Sequence, residues 1–185
     1  MYTVKPSKGR LLIAEPSILN DSSFNRAVIL LSEHNDEGSI GFIMNRATSH
    51  VLNDIIPEID SDLAIYDGGP VSKDNLYFIH NAPELIPNSS KIADEIYWGG
   101  DFETVTQLLK SNKLHKGNIR FFLGYSGWDK NQLLDEVKTT SWIVINNTFK
   151  NIFDILDQSI WKNELKKIGG EYLIWANAPK DPSLN

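Results

Sequence analysis

The stretch Phe24 to Arg46, FNRAVILLSEHNDEGSIGFIMNR, limits the fold more than any other part of the chain. Ala27 to Leu31 is an unbroken apolar run containing β-branched residues, the pattern of a strand covered on both faces and therefore central in its sheet. Asn35, Asp36, Glu37 and Gly38 follow as a four-residue loop, where Gly38 supplies a positive φ, and Ser39 to Met44 runs back beside the first strand. This hairpin gathers Arg26, Asn45 and Arg46 at its open end and carries Glu33 and His34 to its loop end. A ligand or partner surface is expected at one of these two ends.

The remaining sequence surrounds this hairpin with short elements. Residues 1–8 read as a loose arm, and Arg10 to Ala14 as a strand stopped by Glu15 and Pro16. Val51 to Ile56 predicts a short helix ending before Pro57, and Leu63 to Tyr66 a strand entering the turn Asp67, Gly68, Gly69, Pro70. Strands are expected at Leu76 to His80 and Lys91 to Trp98, the latter closed by Gly99 and Gly100. Asp101 then caps a helix whose Phe102, Val105, Leu108 and Leu109 share a face. Ile119 to Leu123 is a strong apolar strand leading into Gly124, Tyr125, Ser126, Gly127 and Trp128, read as a turn. A helix capped by Asp129 or Ser126 follows, burying Leu133, Leu134 and Val137. Trp142 to Ile145 predicts a strand and Asn151 to Leu156 a short helix. The helix Ile160 to Ile168 ends at Gly169 and Gly170, and the tail 171–185 lays an aromatic strip on the body before fraying. Hairpins come early and helices late, which indicates one mixed α+β domain over residues 1–185 in place of an alternating α/β sheet.

Composition narrows the function classes. With 41% hydrophobic and 23% charged residues, the 185-residue chain has the balance of a globular protein with a substantial core. A net charge of −6 removes the general attraction to phosphate backbones, so direct nucleic-acid binding is disfavoured. Cysteine is absent, which excludes disulfides, thiol chemistry and cysteine zinc sites. The absence of a leader-like apolar segment or an 18-residue apolar run leads to the expectation of a cytoplasmic protein without a membrane span.

The motifs with chemical potential are few. Gly124 to Trp128 lies between a strand and a helix, the setting of a nucleophile elbow, but Trp128 stands where the elbow has glycine. His34, His50, His80 and His115 all precede Ser126, so the hydrolase order of serine, acid and histidine is not available. The same histidines have no HxxxH or HxH spacing, and no metal or cofactor is expected. Gly68 and Gly69 lack the lysine of a phosphate loop and read first as a tight turn. Arg26, Asn45 and Arg46 form the better constellation, because guanidinium groups bind carboxylate or phosphate with two parallel hydrogen bonds. The competing reading is an internal salt-bridge network with Glu15, Asp21 or Asp67.

Three blocks in this order, GRLLIAEPSILNDSSFNRAVILLSEHNDEGSIGFIMNR, YDGGPVSKDNLYFIH and FFLGYSGWDKNQLLDEV, resemble the YqgE/AlgH family of bacterial proteins across most of residues 9–146. The resemblance implies a cytoplasmic α+β fold with a bifurcated, mainly antiparallel sheet, partly closed into a small barrel and surrounded by helices. It brings no catalytic residue. The family's label of transcriptional regulator comes from a branch linked to alginate control, and this chain has no helix-turn-helix with a basic recognition face.

The first functional expectation is a non-catalytic regulatory or binding module for an anionic small molecule or a protein partner. Its site is framed by Arg26, Asn45, Arg46, Gly68, Gly69, Gly124, Tyr125, Ser126 and Trp128. One alternative is a hydrolase or transferase acting on a phosphorylated or carboxylated metabolite, with Glu33 or His34 as general base and Arg26 in the same pocket. The other is direct DNA binding. Trp175 in the tail either seals the body or forms the face of a homodimer.

Overall fold

A computed structural model describes residues 4–18, 20–155 and 159–178. In chain order its elements are β1 (Leu11–Ala14), β2 (Val28–Asn35), β3 (Gly38–Ile43), β4 (Ala47–Val51), α1 (Leu52–Ile55), β5 (Ala64–Asp67), β6 (Val71–His80), β7 (Ser90–Ala93) and β8 (Ile96–Trp98). They continue with α2 (Phe102–Lys110), β9 (Ile119–Asp129), α3 (Gln132–Lys138), β10 (Trp142–Ile145), α4 (Ser159–Ile168) and α5 (Tyr172–Asn177).

The hairpin forms as the sequence predicts, with Val28 to Ser32 fully covered between β1 and β3. Its loop is shorter than expected. Asn35 pairs with Gly38, leaving Asp36 and Glu37 as the connection, and the Asn35 Oδ1 accepts from the Glu37 N–H at 2.8 Å. A bulge between Leu31 and Glu33 absorbs one residue and alters the alternation of the strand beyond it.

The sheet runs β10-β1-β2-β3-β9-β6-β8-β7, with β5 joined to β9 and β4 to β5. Among the described residues, β5 and β9 are the one parallel pair. One edge of β9 is divided: residues 126–129 pair with β3, whereas residues 121–123 pair with β5. The sheet therefore forks beside Gly124. The end strands β7 and β10 do not pair with one another, so the partial barrel implied by the family resemblance is replaced by an open, branched path.

Four further corrections concern local structure. Gly124 to Trp128 is part of the long strand β9, where Gly124 serves close backbone approach and not a turn. Residues 91–98 form the hairpin β7–β8 instead of one strand, reversed at Asp94 and Glu95 with Glu95 at φ 57°. The cap of α3 is Asn131 at φ 65°, and neither Asp129 nor Ser126 caps it; Leu133 alone of its leucines is buried. The segment after Gly170 winds into α5, where Tyr172 and Ala176 are buried one turn apart. In the N-terminal arm, Val4 packs on the core and Pro6 is buried. The expected fraying of the tail at 179–185 and the first three residues of the arm lie outside the described residues.

Alternation along β9 distributes the core to both faces. Phe122 and Trp128 join the larger cluster under α4 and α5, which includes Trp161 and Leu165; Ile119 and Phe121 join the cluster under α2, with Val105, Leu108 and Leu109. Asp101 caps α2 as expected, accepting from the Thr104 N–H at 2.7 Å, which holds its carboxyl pKa below the ordinary value.

Candidate functional site

At the open end of the hairpin, the polar groups expected to hold a ligand are engaged with the protein's own backbone. Asn45 is buried; its Oδ1 accepts from the Val28 N–H at 2.9 Å, and its Nδ2 donates to the Arg26 carbonyl at 3.0 Å. The amide thus replaces a rung of the ladder where the hairpin opens. Arg46 donates to the carbonyls of Ser23 and Asn25 at 2.6 and 3.0 Å and faces Asp67 at 3.6 Å. Arg26 turns away from both, donating to the Ala178 carbonyl at 3.2 Å with its guanidinium 5.1 Å from the centre of the Trp161 ring. The three residues are neighbours in the backbone, but their side chains anchor different segments. Of the acids named as internal partners, Asp67 is the one that pairs with Arg46.

The glycine segments meet one another at the fork. A Cβ on Gly68 would stand 2.2 Å from the Gly124 carbonyl oxygen, one on Gly69 2.4 Å from the Tyr125 backbone, and one on Gly124 2.7 Å from the Gly69 carbonyl. Gly68 bonds both arms: its N–H donates to Leu123, and its carbonyl accepts from the Ile43 N–H and the Ser126 hydroxyl. Ser126 is fully buried and points inward at 3.0 Å from that oxygen. Tyr125 packs edge-on against Tyr77. Trp128 is buried with Trp142, and both indoles donate to the same Glu136 oxygen, at 2.8 and 2.7 Å. Close approach of backbones explains this glycine-rich sequence more fully than a cradle for a ligand.

Glu33 and His34 lie at the far end of β2. His34 Nδ1 is 2.8 Å from the Ser39 hydroxyl across the hairpin, and Ser39 is buried. Arg26 stands two residues before β2, and the strand from Val28 to His34 carries His34 about 20 Å further at strand rise. One pocket therefore does not hold both, and the enzyme reading that requires them together loses its geometry.

A different residue combines burial, charge and a cavity. Arg120 is 4% exposed; it donates to the Met44 carbonyl at 2.9 Å and the Phe153 carbonyl at 2.6 Å, and its guanidinium lies 4.3 Å from the centre of the Tyr66 ring. Among the described residues it makes no ion pair within 4.0 Å. Burial pushes its pKa below the ordinary arginine value, opposed by Tyr66 and by Asp154, whose carboxylate lies beyond 4.0 Å. Arg120 and Tyr66 contribute to the wall of a cavity of 890 Å³, with Leu63, Leu109 and Leu114 as apolar lining. That volume is within the range of about 300–1,000 Å³ usual for small-molecule sites. Asp60, Asp62, His115 and Lys116 also line it. A sequence signal for this site existed: Arg120 interrupts the apolar strand IRFFL, and a charge inside a buried strand needs a reason.

A second cavity, of 670 Å³, is lined by Lys8, Arg10 and Lys150 but also by Asp94 and Glu95. Its three cations are not buried, and Arg10 donates to the Lys5 carbonyl. Among the described residues no three histidine or acidic groups come together as a metal site, and no helix is long and apolar enough to cross a membrane.

Comparison with known proteins gives a consistent result. The model of a family described as AlgH-like matches residues 11–173. A UPF0301 protein from Cytophaga hutchinsonii is 41% identical over 181 residues, covering 97% of this chain and 99% of its own. A UPF0301 protein from Parabacteroides distasonis is 40% identical, covering 98% and 93%. Among solved structures, a Corynebacterium diphtheriae protein superimposes with a TM-score of 0.74 at 21% identity over 96% of this chain and 95% of its own. The solution structure of the AlgH protein from Pseudomonas aeruginosa superimposes with a TM-score of 0.71 at 22% identity, covering 97% and 98%. These two likenesses establish the shared fold.

Proposed function

We propose, from the premise that this chain belongs to the AlgH-like family, that it is a non-catalytic binding or regulatory module of the cytoplasm. Its ligand is a small molecule whose anionic group, carboxylate or phosphate, is held in the cavity beside Arg120. The observation that carries this reading is a buried guanidinium with two carbonyl partners, an aromatic face and, among the described residues, no carboxylate within 4.0 Å, on the wall of a cavity large enough for a metabolite. Two carbonyl dipoles and a ring offset only part of the cost of burying a full charge, and an incoming carboxylate or phosphate offsets more.

The test is a thermal-shift screen of the full chain against monocarboxylates, amino acids, dicarboxylates, phosphorylated metabolites and nucleotides. A compound that binds only the native state at 100 times its Kd adds about 2.7 kcal/mol of stability. The expected result is a reproducible upward shift that persists in Arg46→Ala and weakens in Lys116→Ala. Silence across the screen, or a response abolished by Arg46→Ala and untouched by Lys116→Ala, overturns the assignment to this cavity.

A second reading, a protein partner or a second copy, is favoured by α5. Leu173, Ile174 and Trp175 are 45, 74 and 42% exposed. Light scattering across protein concentrations, repeated with Ile174→Asp, tests the second-copy form of this reading; a monomer at every concentration removes that form.

A further inference from the structure

We infer that the ligand of the Arg120 cavity is a small zwitterion of the amino-acid type, its carboxylate turned toward Arg120 and its ammonium toward Asp60 and Asp62. This rests on the assignment of an anion site to that cavity and narrows the ligand's class.

The argument begins with the distribution of charge around the cavity. Arg120 is buried in the wall, while Asp60 and Asp62 come from the loop between α1 and β5 and line the cavity as exposed residues. His115 and Lys116 come from the loop between α2 and β9, so the acidic and basic contributions enter on separate segments. None of Asp60, Asp62, Lys116 and Arg120 is in an ion pair within 4.0 Å among the described residues. Their formal charges sum to zero.

A cavity of this kind discriminates against ligands that carry only one sign. A dicarboxylate or a polyphosphate gains at Arg120 and Lys116 but meets repulsion from two carboxylates. A cation has the opposite difficulty, because the guanidinium is fixed by its bonds to Met44 and Phe153 and does not withdraw. A molecule with one carboxylate and one ammonium satisfies both walls without net charge transfer into the cavity. The planar guanidinium favours a carboxylate through parallel N–H donors, and the Leu63, Leu109 and Leu114 lining accepts an apolar or neutral side chain.

The experiment uses the full chain and three pairs of probes by isothermal titration calorimetry and thermal shift. Leucine is compared with 4-methylpentanoate, glutamine with its des-amino acid, and phenylalanine with 3-phenylpropanoate, so that each pair differs only in the ammonium group. At least one amino acid is expected to bind ten times tighter or more than its des-amino partner. In a double variant, Asp60→Asn with Asp62→Asn, that ratio should fall toward one while the des-amino acid keeps or gains affinity. Both aspartates are exposed, so the variant is expected to fold.

Equal binding within every pair overturns the zwitterion inference and leaves the anion site standing. A tenfold preference that survives in the double variant also overturns it, since the ammonium is then read by other groups. Absence of binding by all six probes, together with silence in the anion screen, removes both the inference and the reading beneath it.

Discussion

Arg46 and Arg120 perform the same mechanical task in different electrical settings. Each guanidinium donates to two backbone carbonyls and ties a distant segment to the sheet: Ser23 and Asn25 for Arg46, Met44 and Phe153 for Arg120. Arg46 lies at the surface opposite Asp67, where water and a carboxylate both settle its charge. Arg120 is buried against the Tyr66 ring with no carboxylate at ion-pair distance. Hydrogen bonds alone therefore do not separate an anchoring arginine from a candidate ligand group. Compensation of the charge does, together with an adjoining cavity.

The sharpest test of this contrast is removal of each guanidinium. Arg120→Ala leaves two carbonyls buried without their donor and should cost about 3 kcal/mol in urea unfolding at an unchanged m-value. Asn45→Ala deprives the Val28 N–H and the Arg26 carbonyl of partners and should cost about 2 kcal/mol, although no ligand is assigned to it. Arg46→Ala should cost about 1 kcal/mol, because its position is partly open to water and a pair that water reaches contributes little. If Arg46→Ala proves as damaging as Arg120→Ala, burial does not distinguish the two and the contrast fails.

The smallest expected effect depends on pH and comes from His80, which, like Arg46, is satisfied by the protein itself. His80 is fully buried; Nδ1 accepts from the Ala82 N–H at 3.1 Å, leaving Nε2 to donate to the Gly99 carbonyl at 3.1 Å. The imidazole is thus neutral, and burial pushes its pKa below the ordinary 6.5, partly opposed by the bond to Gly99. Below about pH 6.5 the unfolded chain takes up a proton that the native protein does not. Stability should therefore fall as pH falls from 6.5 toward the lowered native value and then level off for this group. Comparing the pH dependence of unfolding in the wild type and His80→Asn isolates it; an identical slope in both would show that His80 contributes nothing.

The polar side chains that the sequence singles out at the open end of the hairpin are engaged internally for a physical reason. Residue type identifies Arg26, Asn45 and Arg46 as groups able to bind an anion, but it does not reveal which carbonyls the chain leaves in need of donors. The loop 21–26 and the opening of the hairpin have such carbonyls, and these side chains supply them. Arg120 was legible as an anomaly in an apolar strand. Its cavity was not, because Tyr66, His115 and Asp62 reach that wall from three separate segments.

The β2–β3 hairpin, the α2 cap at Asp101 and the helical face of Trp161 and Leu165 were determined by the sequence itself, since period, turn chemistry and capping act over only a few residues. The strand through Gly124 to Trp128, the fork beside it and the open path of the sheet were decided by tertiary structure alone. Locally that segment has the composition of a turn. It becomes a strand because β3, β5 and β6 supply its backbone partners, and the glycines at 68, 69 and 124 are the residues that allow those backbones to come so close.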